Sequence, residues 1–174
     1  MVLKMVLKPE EKVLLVMSSS QKYSETAISI TKMLSKSSCG VYVSVNKPFE
    51  TLKESFSRNK ININSIFFID MVTKTKDARK DSNCLYLGNP GDLTSVSIAI
   101  DQVLSSMKGE KFVIFDTINT LLNYNNESMV IRFMHSLIGK IRSENARGVL
   151  ISVGSLKENI ASQLTQFCDK NIVV

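Results

Sequence analysis

The sequence predicts an α/β fold: a three-layer α/β/α sandwich around a mostly parallel sheet. Three observations carry this. Short apolar runs at Val13–Met17, Phe112–Phe115 and Val149–Val153 have the length and continuity of strands buried on both faces. Segments between such runs repeat apolar residues at helical spacing. The two kinds of segment alternate to the end of the sequence, which makes βαβ units joined by right-handed crossovers. With 174 residues and no composition shift or Pro/Gly-rich linker, a single domain over 1–174 is expected.

Each element has its own signature. The first residues repeat themselves, Met1-Val-Leu-Lys4 and then Met5-Val-Leu-Lys8. Two four-residue copies are too short for a repeat architecture, so residues 1–8 are expected to be a flexible tail, with Met5 an alternative start. Pro9-Glu10-Glu11 punctuates the chain before the strand Val13–Met17. A helical pattern covers 24–36, with Ala27, Ile28, Ile30, Thr31 and Leu34 facing the core and Gly40 as the expected stop. Val41–Val45 is β-rich. Pro48 opens a second helical segment reaching about Phe56, since proline suits a first turn. Ile66–Ile69 is a third strand, ending at Asp70.

Residues 71–83 are polar and aperiodic and read as the longest loop. Cys84–Leu87 is a short strand. Asn89-Pro90-Gly91 signals a turn, and Asp92 is a good N-cap. Leu93, Val96, Ile100, Val103, Leu104 and Met107 then mark one face of an amphipathic helix. Phe112–Phe115 is a buried strand ending in Asp116. Val130, Phe133, Met134, Leu137, Ile138 and Ile141 mark another helix. Val149–Val153 is a strand, 156–167 a helix, and Asn171–Val174 the last strand.

Composition removes several function classes. Hydrophobic residues make up 44%, enough for a core and too many for wholesale disorder. No apolar stretch approaches the ~18 residues that cross a bilayer. The first eight residues lack the pattern of a signal peptide. A cytoplasmic protein with no membrane partner is therefore expected. Cys39, Cys84 and Cys168 are far apart, with no C-x-x-C pair, which speaks against a disulfide framework and a zinc cluster. His135, the single histidine, lies beside Met134 in an amphipathic stretch and reads as structural. No metal site is expected. Lys+Arg number 22 against 16 Asp+Glu, a net charge of +6, with one dense basic run over 74–80. That run reads first as a solvated loop. The alternative is a contact of Lys74, Lys76, Arg79 and Lys80 with a phosphate backbone, although no aromatic side chain lies within it to stack on bases.

In open parallel sheets, ligands bind beyond the carboxyl ends of the strands. After the first strand comes Ser18-Ser19-Ser20-Gln21-Lys22-Tyr23-Ser24-Glu25-Thr26, where a phosphate loop would sit. A working loop reads G-x-x-x-x-G-K-[ST], its glycines letting backbone amides wrap the phosphates. This segment has no glycine. With Ser18 at the first glycine position, Tyr23, Ser24 and Glu25 take those of the second glycine, the lysine and the hydroxyl residue. A one-residue slip matches Thr26 to the hydroxyl but puts Glu25 in place of the lysine. A carboxylate about 4 Å from a phosphate charge would cost on the order of 4 kcal/mol at an intermediate dielectric. Glu25 suits the positive end of a helix dipole and Ser24 a cap, so the helix end is expected to satisfy itself.

Gly40–Ser44, Asp92–Asp101, Phe112–Leu121 and Phe167–Val174 together resemble the KaiC-like branch of the RecA superfamily of ATPases, over about Lys12 to Val174. The resemblance implies a RecA-like P-loop fold. It also implies a catalytic glutamate pair after the second strand and a Walker-B aspartate at the end of a later one. The glutamate positions fall on Asn46 and Lys47, neither of which can act as general base. Asp116 matches the Walker-B aspartate and Thr117 the small hydroxyl residue that often follows it. Without its companions, Asp116 is expected to be a polar strand end capping the following turn, and Asp70 to share its edge of the sheet. The expected function is a catalytically inactive binding, scaffolding or regulatory module without a cofactor, acting through self-association or pairing with an active paralogue. One alternative is a divergent ATP binder or weak ATPase using Lys22, Thr26 and Asp116 with magnesium. The other is a nucleic-acid-binding module using the loop 74–80.

Overall fold

The structure, a computed structural model, describes Lys8, residues 10–74 and residues 81–174. Along the chain run β1 (Val13–Ser18), α1 (Tyr23–Leu34), β2 (Cys39–Ser44), α2 (Phe49–Arg58), β3 (Ile66–Asp70), β4 (Cys84–Tyr86) and α3 (Leu93–Ser106). There follow β5 (Lys111–Asp116), α4 (Ile118–Leu122), α5 (Glu127–Ser143), β6 (Arg147–Val153), α6 (Glu158–Phe167) and β7 (Lys170–Val173). The seven strands form one sheet in the order β4-β3-β2-β5-β6-β1-β7, and every pairing is parallel. The α/β sandwich predicted from the alternation of segments is thus the observed architecture.

The two-residue period of a strand sorts side chains between the two helical layers. On β5, Val113 and Phe115 join the core formed with α3, α4, α5 and α6, while Phe112 and Ile114 join the core formed with α1 and α2. Asp116 is two residues on from Ile114, so its side chain lies on the α1/α2 face. From β2 the chain steps outward to β3 and β4. It then returns to β5 on the other side of β2 and steps the opposite way. The direction reverses between β2 and β5, which puts the crevice of the fold at their carboxyl ends.

Some expectations need correction. Gly40 does not stop the first helix. That helix ends at Leu34, where the Ser35 N–H donates to the Thr31 carbonyl, and Gly40 lies inside β2. A Cβ at Gly40 would come within 2.4 Å of the Phe112 ring on the neighbouring strand. The glycine therefore answers to close packing between strands, not to a turn. Pro48 stands at the N-cap of α2, one residue ahead of the first turn. The five-residue α4 has no counterpart among the expected helices, because one turn is too short to show a period. Lys74 is exposed, whereas Lys76, Arg79 and Lys80 of the basic run lie outside the described residues, as does the expected tail apart from Lys8. No helix among the described residues is long and apolar enough to cross a membrane.

Candidate functional site

The register of the central strands aligns three polar residues across the carboxyl edge. Ser44 of β2 pairs with Asp70 of β3 on one side and with Asp116 of β5 on the other. All three are buried, Asp116 completely. A buried polar group must find partners inside the protein, and each of these finds a different set.

Asp70 organises backbone. Its carboxylate accepts from the Phe49 N–H at 2.8 Å, the Val72 N–H at 2.7 Å, and the Thr73 N–H and hydroxyl at 2.9 and 2.6 Å. It so fixes both the start of α2 and the loop leaving β3. Ser44 closes the turn beyond β2: its hydroxyl donates to the Lys47 carbonyl at 2.5 Å and accepts the Lys47 N–H at 3.2 Å. The Val45 N–H donates to the Asp116 carbonyl at 2.6 Å, carrying the β2–β5 ladder past the ends of the strands.

Asp116 is held by two tyrosines. The Tyr23 hydroxyl donates to its two carboxylate oxygens at 2.7 and 2.8 Å, and the Tyr42 hydroxyl to Oδ2 at 2.5 Å. Tyr42 lies on β2 two residues before Ser44, on the same face, and extends along the strand. Tyr23 is the first residue of α1 and reaches Asp116 from the layer above the sheet. Burial pushes the Asp116 carboxyl above its usual range, while the hydroxyls of Tyr42 and Tyr23 and the charge of Lys47 pull it back. Burial, then the Asp116 charge, drives both tyrosine hydroxyls upward, so they stay protonated as donors. Both carboxylate oxygens are thus engaged by tyrosine hydroxyls inside the core.

Ser18 to Lys22 form a closed turn. The Lys22 and Tyr23 N–H groups both donate to the Ser19 carbonyl, at 3.1 and 3.0 Å. The Ser19 N–H donates to the Val174 carbonyl and the Thr26 N–H to that of Lys22, each at 2.9 Å. The Ser18 hydroxyl lies 3.4 Å from that of Thr26, and both residues are buried, whereas Ser20, Gln21 and Lys22 face solvent. Ser24 does not cap α1. Lys22 holds the N-cap position without a side-chain bond, and Ser24 lies inside the first turn with the exposed Glu25. The Ser24 hydroxyl instead accepts from Lys47 Nζ at 3.0 Å, and the same ammonium lies 4.8 Å above the centre of the Tyr23 ring. Asn46, beside it, is exposed. The turn after β2 therefore reaches across the crevice to the start of α1.

Nor does Asp116 cap the following turn. Thr117 does so, its hydroxyl accepting the Thr120 N–H at 3.4 Å. The reason is the strand alternation: Asp116 points to the α1/α2 face, whereas α4 packs Ile118 into the opposite core. The tyrosine pair was not foreseen from the sequence, though one signal pointed to it. A tyrosine inside a strand buried on both faces needs a partner for its hydroxyl, and the aspartate ending a neighbouring strand supplies one. Burial pushes the thiols of Cys84 and Cys168 up to about 12, which makes them poor nucleophiles. His135 packs on Phe167 with ring centres 4.7 Å apart. Among the described residues no group of three or more His, Cys, Asp or Glu could hold a metal ion.

Residues 12–174 match a family described as "Family of unknown function (DUF7504)". The chain belongs to this family. No curated protein matches it by sequence. Similar solved structures include an uncharacterized Pyrococcus horikoshii protein in complex with an unknown peptide. It has a TM-score of 0.66 and 10% identity, over 94% of this DUF7504 chain and 77% of that one. A KaiC-like protein from Pyrococcus horikoshii OT3 follows at a TM-score of 0.63 and 10% identity, over 93% and 70% of the two chains. The flagellar accessory protein FlaH of Methanocaldococcus jannaschii has a TM-score of 0.57 and 14% identity, over 93% and 70%. At such identities the likeness shows the fold alone: this DUF7504 chain has the fold of KaiC-like and RecA-like ATPase domains.

Proposed function

We propose that this chain is a RecA/KaiC-like domain that does not hydrolyse ATP. It acts as a binding, scaffolding or regulatory module, through self-association or by pairing with an active paralogue. The observation that carries this reading is the state of Asp116, whose two oxygens are taken by the hydroxyls of Tyr23 and Tyr42. Binding and hydrolysis of a magnesium–nucleotide complex need three things at this place in the fold: a carboxylate open to the metal and backbone amides free to wrap phosphate for binding, and a base to polarise water for turnover. Here both carboxylate oxygens are engaged by buried tyrosine hydroxyls, the amides of Lys22 and Tyr23 turn inward to Ser19, and the two glutamate positions carry Asn46 and Lys47. The residues present do not fit the complex. A protein partner agrees with the peptide bound by a structure of the same fold.

Calorimetry with MgATP at millimolar ligand, together with an ATP turnover assay, tests this. No heat and no turnover are expected. Binding heat, or turnover that disappears in Asp116→Ala, overturns the reading.

A further inference from the structure

We infer that Lys47 is a strap that holds the crevice shut, by pinning the first turn of α1 so that Tyr23 stays over Asp116. The inference rests on the closed-crevice reading above and adds its moving part. Four observations carry it. The backbone at Lys47 is anchored twice by the buried Ser44 hydroxyl, at 2.5 and 3.2 Å, so the turn that carries the strap is rigid. The side chain leaves that turn, crosses to a different element, and donates to Ser24 Oγ at 3.0 Å. Its ammonium also covers the Tyr23 ring at 4.8 Å, so one cation contacts two neighbouring residues of the α1 start. Finally, Lys47 is half-buried and enters no ion pair among the described residues, whereas the Tyr23–Asp116 bonds beneath it are fully buried.

The physical consequence is an asymmetry between strap and plug. A partly exposed cation–π contact and one hydrogen bond to a neutral hydroxyl are each modest, because water competes for the ammonium. The buried bonds to Asp116 are costly to break while water is excluded. Water reaches them once the start of α1 lifts, and Lys47 holds that start from the solvent side of the crevice. Opening is thus gated at the rim, as a local event below global unfolding. The groups facing the ammonium are the Ser24 hydroxyl, the Tyr23 ring and, at longer range, the Asp116 carboxylate.

Residue-resolved amide hydrogen exchange tests the strap. In Lys47→Met the amides of Lys22, Tyr23 and Thr26 are expected to exchange about tenfold faster, with the β5 amides unchanged. Lys47→Arg keeps the cation and should restore slow exchange. Ser24→Ala removes the acceptor without changing charge and should give a smaller acceleration, about threefold. Wild-type rates at these amides in both Lys47→Met and Ser24→Ala overturn the strap. If Lys47→Met does not fold, Ser24→Ala decides alone. A MgATP titration of the wild type run in parallel separates the two readings. Heat there sinks the closed nucleotide crevice, while the exchange rates report on the strap.

Discussion

Asp116 shows how one residue changes meaning with its surroundings. As the last residue of an apolar run it reads as a strand end at the mouth of a crevice. In the fold it is a fully buried carboxylate with two tyrosine hydroxyls aimed at it. Its position followed from the strand pattern. Its partners did not, because Tyr23 is 93 positions away and Tyr42 is 74. This arrangement has a pH signature. The folded-state value lies above the ordinary 3.8, with burial as the main cause. Between those two values the native state keeps a proton that the unfolded chain releases. The contribution of the group is therefore whole below 3.8 and is lost as pH rises through the folded value. The stability of wild type minus that of Asp116→Asn, from urea unfolding across pH 3 to 8, is expected to fall with rising pH through that window and then level off. A difference that climbs with pH would contradict the buried-carboxyl assignment.

Among the elements, β2 carries the most information. It lies at the reversal of strand order, supplies Tyr42 and Ser44, and leads into the turn that presents Lys47. Its β-rich pattern was legible. Its glycine was not, since a glycine after a helical pattern reads equally as a helix stop and as a point of close approach. Packing decides between them: the Phe112 ring fills the space above Gly40. Gly40→Ala is expected to destabilise by about 1–3 kcal/mol through overpacking. Gly148→Ala should cost less, because the atom nearest its added methyl is Ile141 Cδ1 at 2.7 Å, the mobile tip of a side chain. Thermal unfolding of the two variants reads the order directly, and equal losses would argue against the close β2–β5 contact.

Over the whole molecule, one parallel sheet serves two cores. Leu104 is buried in the α3–α6 core and Phe56 in the α1/α2 core. Because every central strand contributes to both faces, neither core can melt and leave the sheet intact. Leu104→Ala should cost about 2–5 kcal/mol and Phe56→Ala about 3–5 kcal/mol. Both variants should unfold in a single transition by circular dichroism and by tyrosine fluorescence, with costs that add in the double variant. Separate transitions in either variant would show the faces to be independent.

By itself the sequence determined the alternation of strands and helices, the parallel sheet, the separation of two helical layers, and which residues end at the crevice. These follow from local periodicity, which a chain carries wherever it is read. Only the tertiary structure decided what occupies the crevice. Tyr23, Tyr42 and Asp116 meet because strand order places β2 beside β5 and lays the start of α1 above both. Lys47 reaches Ser24 because a serine-closed turn aims it there. Those contacts join residues distant in sequence, and a buried polar group takes its partner from whichever element the fold brings near, which no local pattern records.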